Sequence, residues 1–192
     1  MSGRLEGMRI AIVATHGVER VELDEPREAV EREGATTVLL APEPGEIQTV
    51  RGDINPAGEV PVDGTVGDAD PGDYDGLILP GGVANPDALR TDAGVIAFVT
   101  EVFRAGKPVG VICHGPWTLV EADLVRGRTL TSYPSLRTDI RNAGGTVVDE
   151  EVVVDSGLVS SRNPDDLPAF CAKVVEELAE GAHRVHPEGA TA

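Results

Sequence analysis

The sequence predicts an α/β fold: a mostly parallel sheet covered by helices on both faces. Three observations predict it. Short, largely apolar runs recur at Met8–Val13, Thr36–Ala41, Tyr74–Pro80 and Pro108–Ile112, without the strict alternation of a sheet wetted on one side. Amphipathic stretches with helical spacing lie between and after them. The 192 residues suit one domain with a sizeable core.

Met8–Val13 and Thr36–Ala41 read as buried strands, and the charged stretch Glu22–Glu33 between them as a helix. Pro26 is tolerable in its first turn, and Gly34 stops it. Residues 42–73, rich in Pro, Gly and Asp, read as an irregular insertion with a small hairpin near 46–51 and 58–62. Tyr74–Pro80 is the third main strand and ends in Gly81-Gly82. Over Asp92–Ala105, Val95, Ile96, Val99, Val102 and Phe103 share one helical face, and Gly106 closes it. Pro108–Ile112 is a further buried strand, with a helix following from about Pro116 to Asp123. A strand near 128–132, a helix from Pro134 to Ala143 stopped by Gly144-Gly145, and strands near 146–154 and 158–161 continue the pattern. The last helix, 164–180, aligns Leu167, Phe170, Cys171, Val174, Val175 and Leu178 in one stripe. Residues 181–192 form a polar tail expected to be disordered, which leaves a single domain over 1–180. Reactive groups in such sheets lie at the carboxyl ends of the strands. That rule selects the loops 14–21, 80–87 and 112–118.

The charge excludes several classes of function. Asp and Glu number 33 against 16 Lys and Arg, a net charge of −17. A polyanion would be repelled, no dense basic patch offsets this, and only 3% of residues are aromatic, so nucleic acid is not an expected partner. Apolar runs of about six residues fall far short of the roughly 20 that span a bilayer. The segment Met1–Gly7 lacks an apolar signal core. Two cysteines make no disulfide scaffold and suggest a reduced, cytoplasmic setting. No cysteine or histidine set has metal-ligand spacing, and no cofactor is expected.

Val109-Gly-Val-Ile-Cys-His-Gly-Pro-Trp117 carries the chemistry. A buried strand runs into Cys113, then His114-Gly115, then a proline placed to open a helix. Such a strand-to-helix elbow is expected to expose a nucleophile at the top of the sheet, with Gly115 relieving the crowding. The helix N-terminus is expected to lower the thiol pKa. Cys171, on the stripe of the last helix, reads instead as a small buried hydrophobe.

Five segments occur in order: Ala14–Leu23 (Ala-Thr-His-Gly-Val-Glu-Arg-Val-Glu-Leu), Leu79-Pro-Gly-Gly82, Gly106–Pro116, Leu130-Thr-Ser-Tyr-Pro134 and Val152–Ser161. Together they resemble the PfpI branch of the DJ-1/PfpI superfamily, over about residues 8 to 180. The resemblance implies a flavodoxin-like three-layer sandwich, like that of class I glutamine amidotransferases. It implies Cys113 as the reactive cysteine and a carboxylic acid from the first-strand loop within hydrogen-bonding reach of the thiol. Glu19 fits that position, and Glu22 is assigned to the first helix. His114 is implied as the base of peptidase-like members, with an acid from a neighbouring subunit that corresponds to Asp87. Gly82 and the backbone of His114 are the oxyanion donors, and Tyr133 matches a tyrosine near the pocket. His16 lies on the same first-strand loop without an assigned role. The amidotransferase partner motif His-Pro-Glu occurs at His186-Pro187-Glu188, after the last helix rather than before it, so that activity is not expected.

The function implied is a stress-response, cysteine-dependent enzyme in a homo-oligomer. Its substrates are reactive aldehydes, by glyoxalase or deglycase chemistry, or peptides. The alternative is a redox sensor or holdase working through oxidation of Cys113. His114 favours the enzyme, because sensor-like members often lack a histidine there.

Overall fold

The computed structural model of the protein describes residues 3–182. Nearly all of the polar tail, with His186-Pro187-Glu188, lies outside the described residues. In chain order the elements are β1 (Arg9–Val13), β2 (Val18–Glu19), α1 (Arg20–Arg32), β3 (Thr36–Ala41), β4 (Glu46–Arg51), β5 (Asn55–Pro61), β6 (Gly64–Thr65), β7 (Gly76–Leu79) and α2 (Ala84–Leu89). Then follow α3 (Ala93–Arg104), β8 (Val109–Ile112), α4 (Pro116–Glu121), β9 (Thr129–Leu130), α5 (Arg137–Asn142), β10 (Thr146–Val147), β11 (Val152–Asp155), β12 (Leu158–Ser161) and α6 (Leu167–Glu180).

The central sheet has seven strands in the order β11-β12-β8-β7-β1-β3-β6. Every pairing is parallel except that of β11, which runs antiparallel at the edge. This is the flavodoxin-like α/β arrangement. Along β1, Ile10 and Ile12 join one core with Leu23 and Val30 of α1 and Phe170, Val174 and Leu178 of α6. Ala11 and Val13, pointing the other way, join the second core with Val95, Val99 and Val102 of α3. Successive strand residues face opposite sides, so an all-apolar strand must be covered twice. That is why the buried runs lack alternation.

Three features differ from the sequence reading. The segments near 129 and 146 leave the main sheet and form a parallel two-stranded unit, β9 with β10. The helix α2 lies where a loop was expected, because Pro86 sits in its first turn, where a missing N–H costs nothing. Cys171 is half-buried against its core rather than enclosed by it. The hairpin of the insertion does form, and β2 extends it into a small sheet of order β2-β4-β5.

Strand order departs from β1 in both directions, toward β3 on one side and toward β7 and β8 on the other. A crevice opens at such a switch point. The loops after β1, β7 and β8 meet there, as the strand-end rule anticipates. Asn85 ties two of them together: its buried amide donates to the carbonyls of Pro80 and Gly81, both at 3.0 Å, and accepts from the Thr15 N–H at 2.7 Å.

Candidate active site

Cys113 ends β8 and adopts φ +61, a left-handed conformation that L residues rarely take. The elbow is closed tightly. A Cβ on Gly115 would stand 2.7 Å from the Leu79 carbonyl oxygen and 2.9 Å from that of Ile112, so only glycine fits without a shift. Gly81 is equally confined, between a Glu22 carboxyl oxygen at 2.5 Å and the Cys113 Cβ at 2.7 Å. The Tyr133 N–H donates to the Cys113 carbonyl at 2.9 Å and fixes the elbow from the far side. Strain held by such surroundings is typical of functional turns.

The sulfur is not exposed at the top of the sheet as the elbow suggested. Cys113 is only 3% exposed and forms the floor of a pocket of about 380 Å³. Glu19, Glu22, Arg51, Asp53, Tyr133 and Pro164 are among its walls. The β4–β5 hairpin folds over the sheet end and supplies Arg51 and Asp53.

The buried carboxyl that borders Cys113 is that of Glu22, which crowds Gly81 from one side as the Cys113 Cβ does from the other, and this corrects the assignment of that position to Glu19. Helix α1 begins at Arg20, so Glu22 sits in its first turn, directed at the sheet end. It is fully buried, and one oxygen accepts the Gly81 N–H at 2.8 Å. Glu19 ends β2, and its carboxylate accepts the Asp53 N–H at 3.0 Å, on the pocket wall. Burial pushes the Glu22 carboxyl up to about 8, so it holds its proton at neutral pH.

Burial, then the negative fields of Glu22 and Asp53, push the Cys113 thiol up as well, and a hydrogen bond from the Gly82 N–H only partly opposes them. The expected depression of the thiol is therefore not found: α4 has six residues, and desolvation outweighs what its terminus contributes. The resting cysteine is therefore favoured as the thiol. His114 packs directly against it. Its Nδ1 lies 3.1 Å from the sulfur, its ring stacks on Tyr133 with centroids 4.4 Å apart, and burial lowers its pKa so that it rests neutral. Its Nε2 lies 3.2 Å from the Ser135 hydroxyl.

Gly82 adopts φ +80, and a Cβ there would come 2.3 Å from the Gly17 carbonyl oxygen. Glycine thus lets its N–H approach the sulfur. Asp87 stands apart from these groups, exposed on α2 and paired with Arg90 at 3.3 Å. His16 is exposed, and its Nδ1 accepts the Gln48 N–H at 3.0 Å. Asp53 escaped the sequence reading. It has φ +66, and its carboxylate accepts the Val83 N–H at 3.0 Å, so it clips the hairpin tip to the Gly81-Gly82 loop. Among the described residues no group of three or more His, Cys, Asp or Glu side chains is placed to hold a metal ion. None of their helices is long and apolar enough to cross a membrane.

The model of the DJ-1/PfpI family matches residues 8–177. The chain belongs to this family. It is 43% identical over 165 residues to General stress protein 18 of Bacillus subtilis, covering 85% of this chain and 94% of that protein. It is 40% identical over 163 residues to Protein/nucleic acid deglycase 2 of Escherichia coli, covering 84% and 92% respectively. Among solved structures, a two-domain protein of Anabaena variabilis with DJ-1/ThiJ/PfpI-like and ferritin-like domains superposes with a TM-score of 0.83 at 32% identity. That match takes in 89% of this chain and 48% of the larger protein. Drosophila melanogaster DJ-1beta superposes with a TM-score of 0.79 at 25% identity, over 90% of this chain and 91% of that one.

Proposed function

We propose that the protein is a cysteine-dependent enzyme that converts small reactive aldehydes such as methylglyoxal to hydroxy acids, with related action on their protein adducts. The observation that carries this reading is the neutral Glu22 carboxyl against the Cys113 thiol, with the His114 Nδ1 on the same sulfur. His114 takes the thiol proton as sulfur bonds the aldehyde carbon, and Glu22 protonates the resulting oxygen, giving a hemithioacetal. The Glu22 carboxylate then removes the proton on that carbon, and His114 protonates the neighbouring ketone oxygen, giving an enediol. Glu22 returns its proton to the adjacent carbon and recovers one from the first hydroxyl, leaving a thioester. Water cleaves the thioester to the hydroxy acid and restores the thiol. General acid–base steps of this kind contribute roughly 10²–10⁴-fold each.

The pocket volume, about 380 Å³, sits at the small end of ligand sites and favours a compact aldehyde over a polypeptide. The raised thiol pKa and its burial disfavour a redox sensor, because oxidation follows thiolate character and access. The names of the deglycase and stress-protein relatives agree with the reading. The test is to supply methylglyoxal and, separately, unfolded casein, and to measure lactate and released peptides. Lactate with little peptide release is expected; the reverse pattern would replace aldehyde chemistry with peptide hydrolysis.

A further inference from the structure

We infer that Ser135 is a positioning residue for the Cys113–His114 pair: its hydroxyl holds His114 in the tautomer with the proton on Nε2 and connects the buried ring to solvent. The inference rests on the reading of His114 as the base for Cys113. For Nδ1 to accept the thiol proton it must start bare, and a neutral imidazole then carries its one proton on Nε2. That N–H needs an acceptor. The ring is 3% exposed, one face lies on Tyr133, and Trp117 stands with its ring centroid 5.5 Å away. Among the described residues the polar partner of Nε2 is the Ser135 hydroxyl, at 3.2 Å.

Ser135 itself is exposed. Its place follows from the chain: Pro134 starts a short 3-10 turn, Pro134–Leu136, right after Tyr133, whose N–H is anchored to the Cys113 carbonyl. A hydroxyl accepts one hydrogen bond while donating another. When His114 gains the thiol proton on Nδ1, the Nε2 N–H keeps Ser135 Oγ as its acceptor while that hydroxyl donates its own hydrogen bond to water, so the imidazolium is held and solvated until it gives the proton back.

The test compares Ser135→Thr with Ser135→Val, nearly equal in shape and differing in the hydroxyl, with His114→Ala beside them. Iodoacetamide serves as the probe, since it needs no knowledge of the natural substrate. Its carbon bonds sulfur as iodide leaves with the electron pair, and the thiol proton goes to His114. With Cys171 replaced by Ser in every protein, wild type and the Thr variant are expected to react within about twofold of each other. The Val variant is expected to react about tenfold more slowly. Nitrogen-15 NMR should show the His114 proton on Nε2 in the first two and a shift toward Nδ1 in the Val variant. Equal rates and spectra for Thr and Val, with His114→Ala slow, would overturn the role of Ser135 alone. A His114→Ala variant as reactive as wild type would overturn the base reading beneath it.

Discussion

The Nδ1 of His114 lies 3.1 Å from the sulfur of Cys113, although the two residues are neighbours in sequence. Adjacent side chains on a turn ordinarily diverge. Here the left-handed backbone at Cys113 bends the chain enough to bring the imidazole back over the thiol. The same turn sets the sulfur against the Gly82 N–H and the Glu22 carboxyl, so an imidazole, a backbone N–H and a carboxyl from three separate segments surround one atom.

The two candidate acids should separate sharply. Glu22→Gln keeps an acceptor for the Gly81 N–H but removes the titrating proton, and lactate formation should fall by about 100-fold or more. Glu19→Gln, which leaves the sulfur's contacts in place, should lose less than about tenfold. Initial rates with methylglyoxal at pH 7 check both, and equal losses would return Glu19 to the acid's role.

Glu22 also predicts how stability depends on pH. Its folded pKa of about 8 lies above the ordinary carboxyl value of 4.5, so between these values the folded chain holds a proton that the unfolded chain releases. Stability therefore falls as pH rises through that window, by on the order of 5 kcal/mol in all. Glu22→Gln should flatten the slope. Urea unfolding at several pH values, wild type against variant, checks this, and the subtraction removes the opposing contribution of His114.

Gly115→Ala should damage the elbow. The added methyl meets the Leu79 carbonyl oxygen at 2.7 Å, a Val111 methyl at 2.8 Å and the Ile112 carbonyl oxygen at 2.9 Å. Overpacking of this kind costs about 1–3 kcal/mol, so thermal unfolding should fall by several degrees, with activity lost beyond what the stability change explains. An unchanged midpoint would show that the turn has room to give.

Loop 162–166, whose Pro164 lines the pocket, is fastened by Asp166. Its carboxylate accepts from the Arg162 N–H at 3.0 Å, Nε at 2.9 Å and Nη2 at 2.8 Å, and it is buried. Asp166→Ala should cost about 2 kcal/mol, since hydrogen bonds to charged groups are the stronger kind. Asp149, exposed between Arg137 and Arg162, should leave the unfolding midpoint near wild type when replaced by Ala.

The elbow was readable in the sequence because a buried run ending in Cys-His-Gly-Pro leaves few alternatives. Glu22 was harder. It stands in a stretch with four acids between positions 19 and 25, where composition says solvent. Yet Glu22, Leu23, Pro26, Ala29 and Val30 are the buried residues of α1, one helical stripe, and an acid on that stripe was the available signal. Asp53 gave none: a Gly-Asp turn reads as solvated until the hairpin is seen folded over β7's end. The short pair β9 with β10 was misplaced because two-residue strands carry no period.

The most direct measurement is lactate production from methylglyoxal by wild type, Cys113→Ala and Glu22→Gln, purified side by side. The account predicts turnover by wild type that Cys113→Ala abolishes and Glu22→Gln lowers by about 100-fold or more. Turnover near the wild-type rate in either variant, or none above the variants, would contradict it.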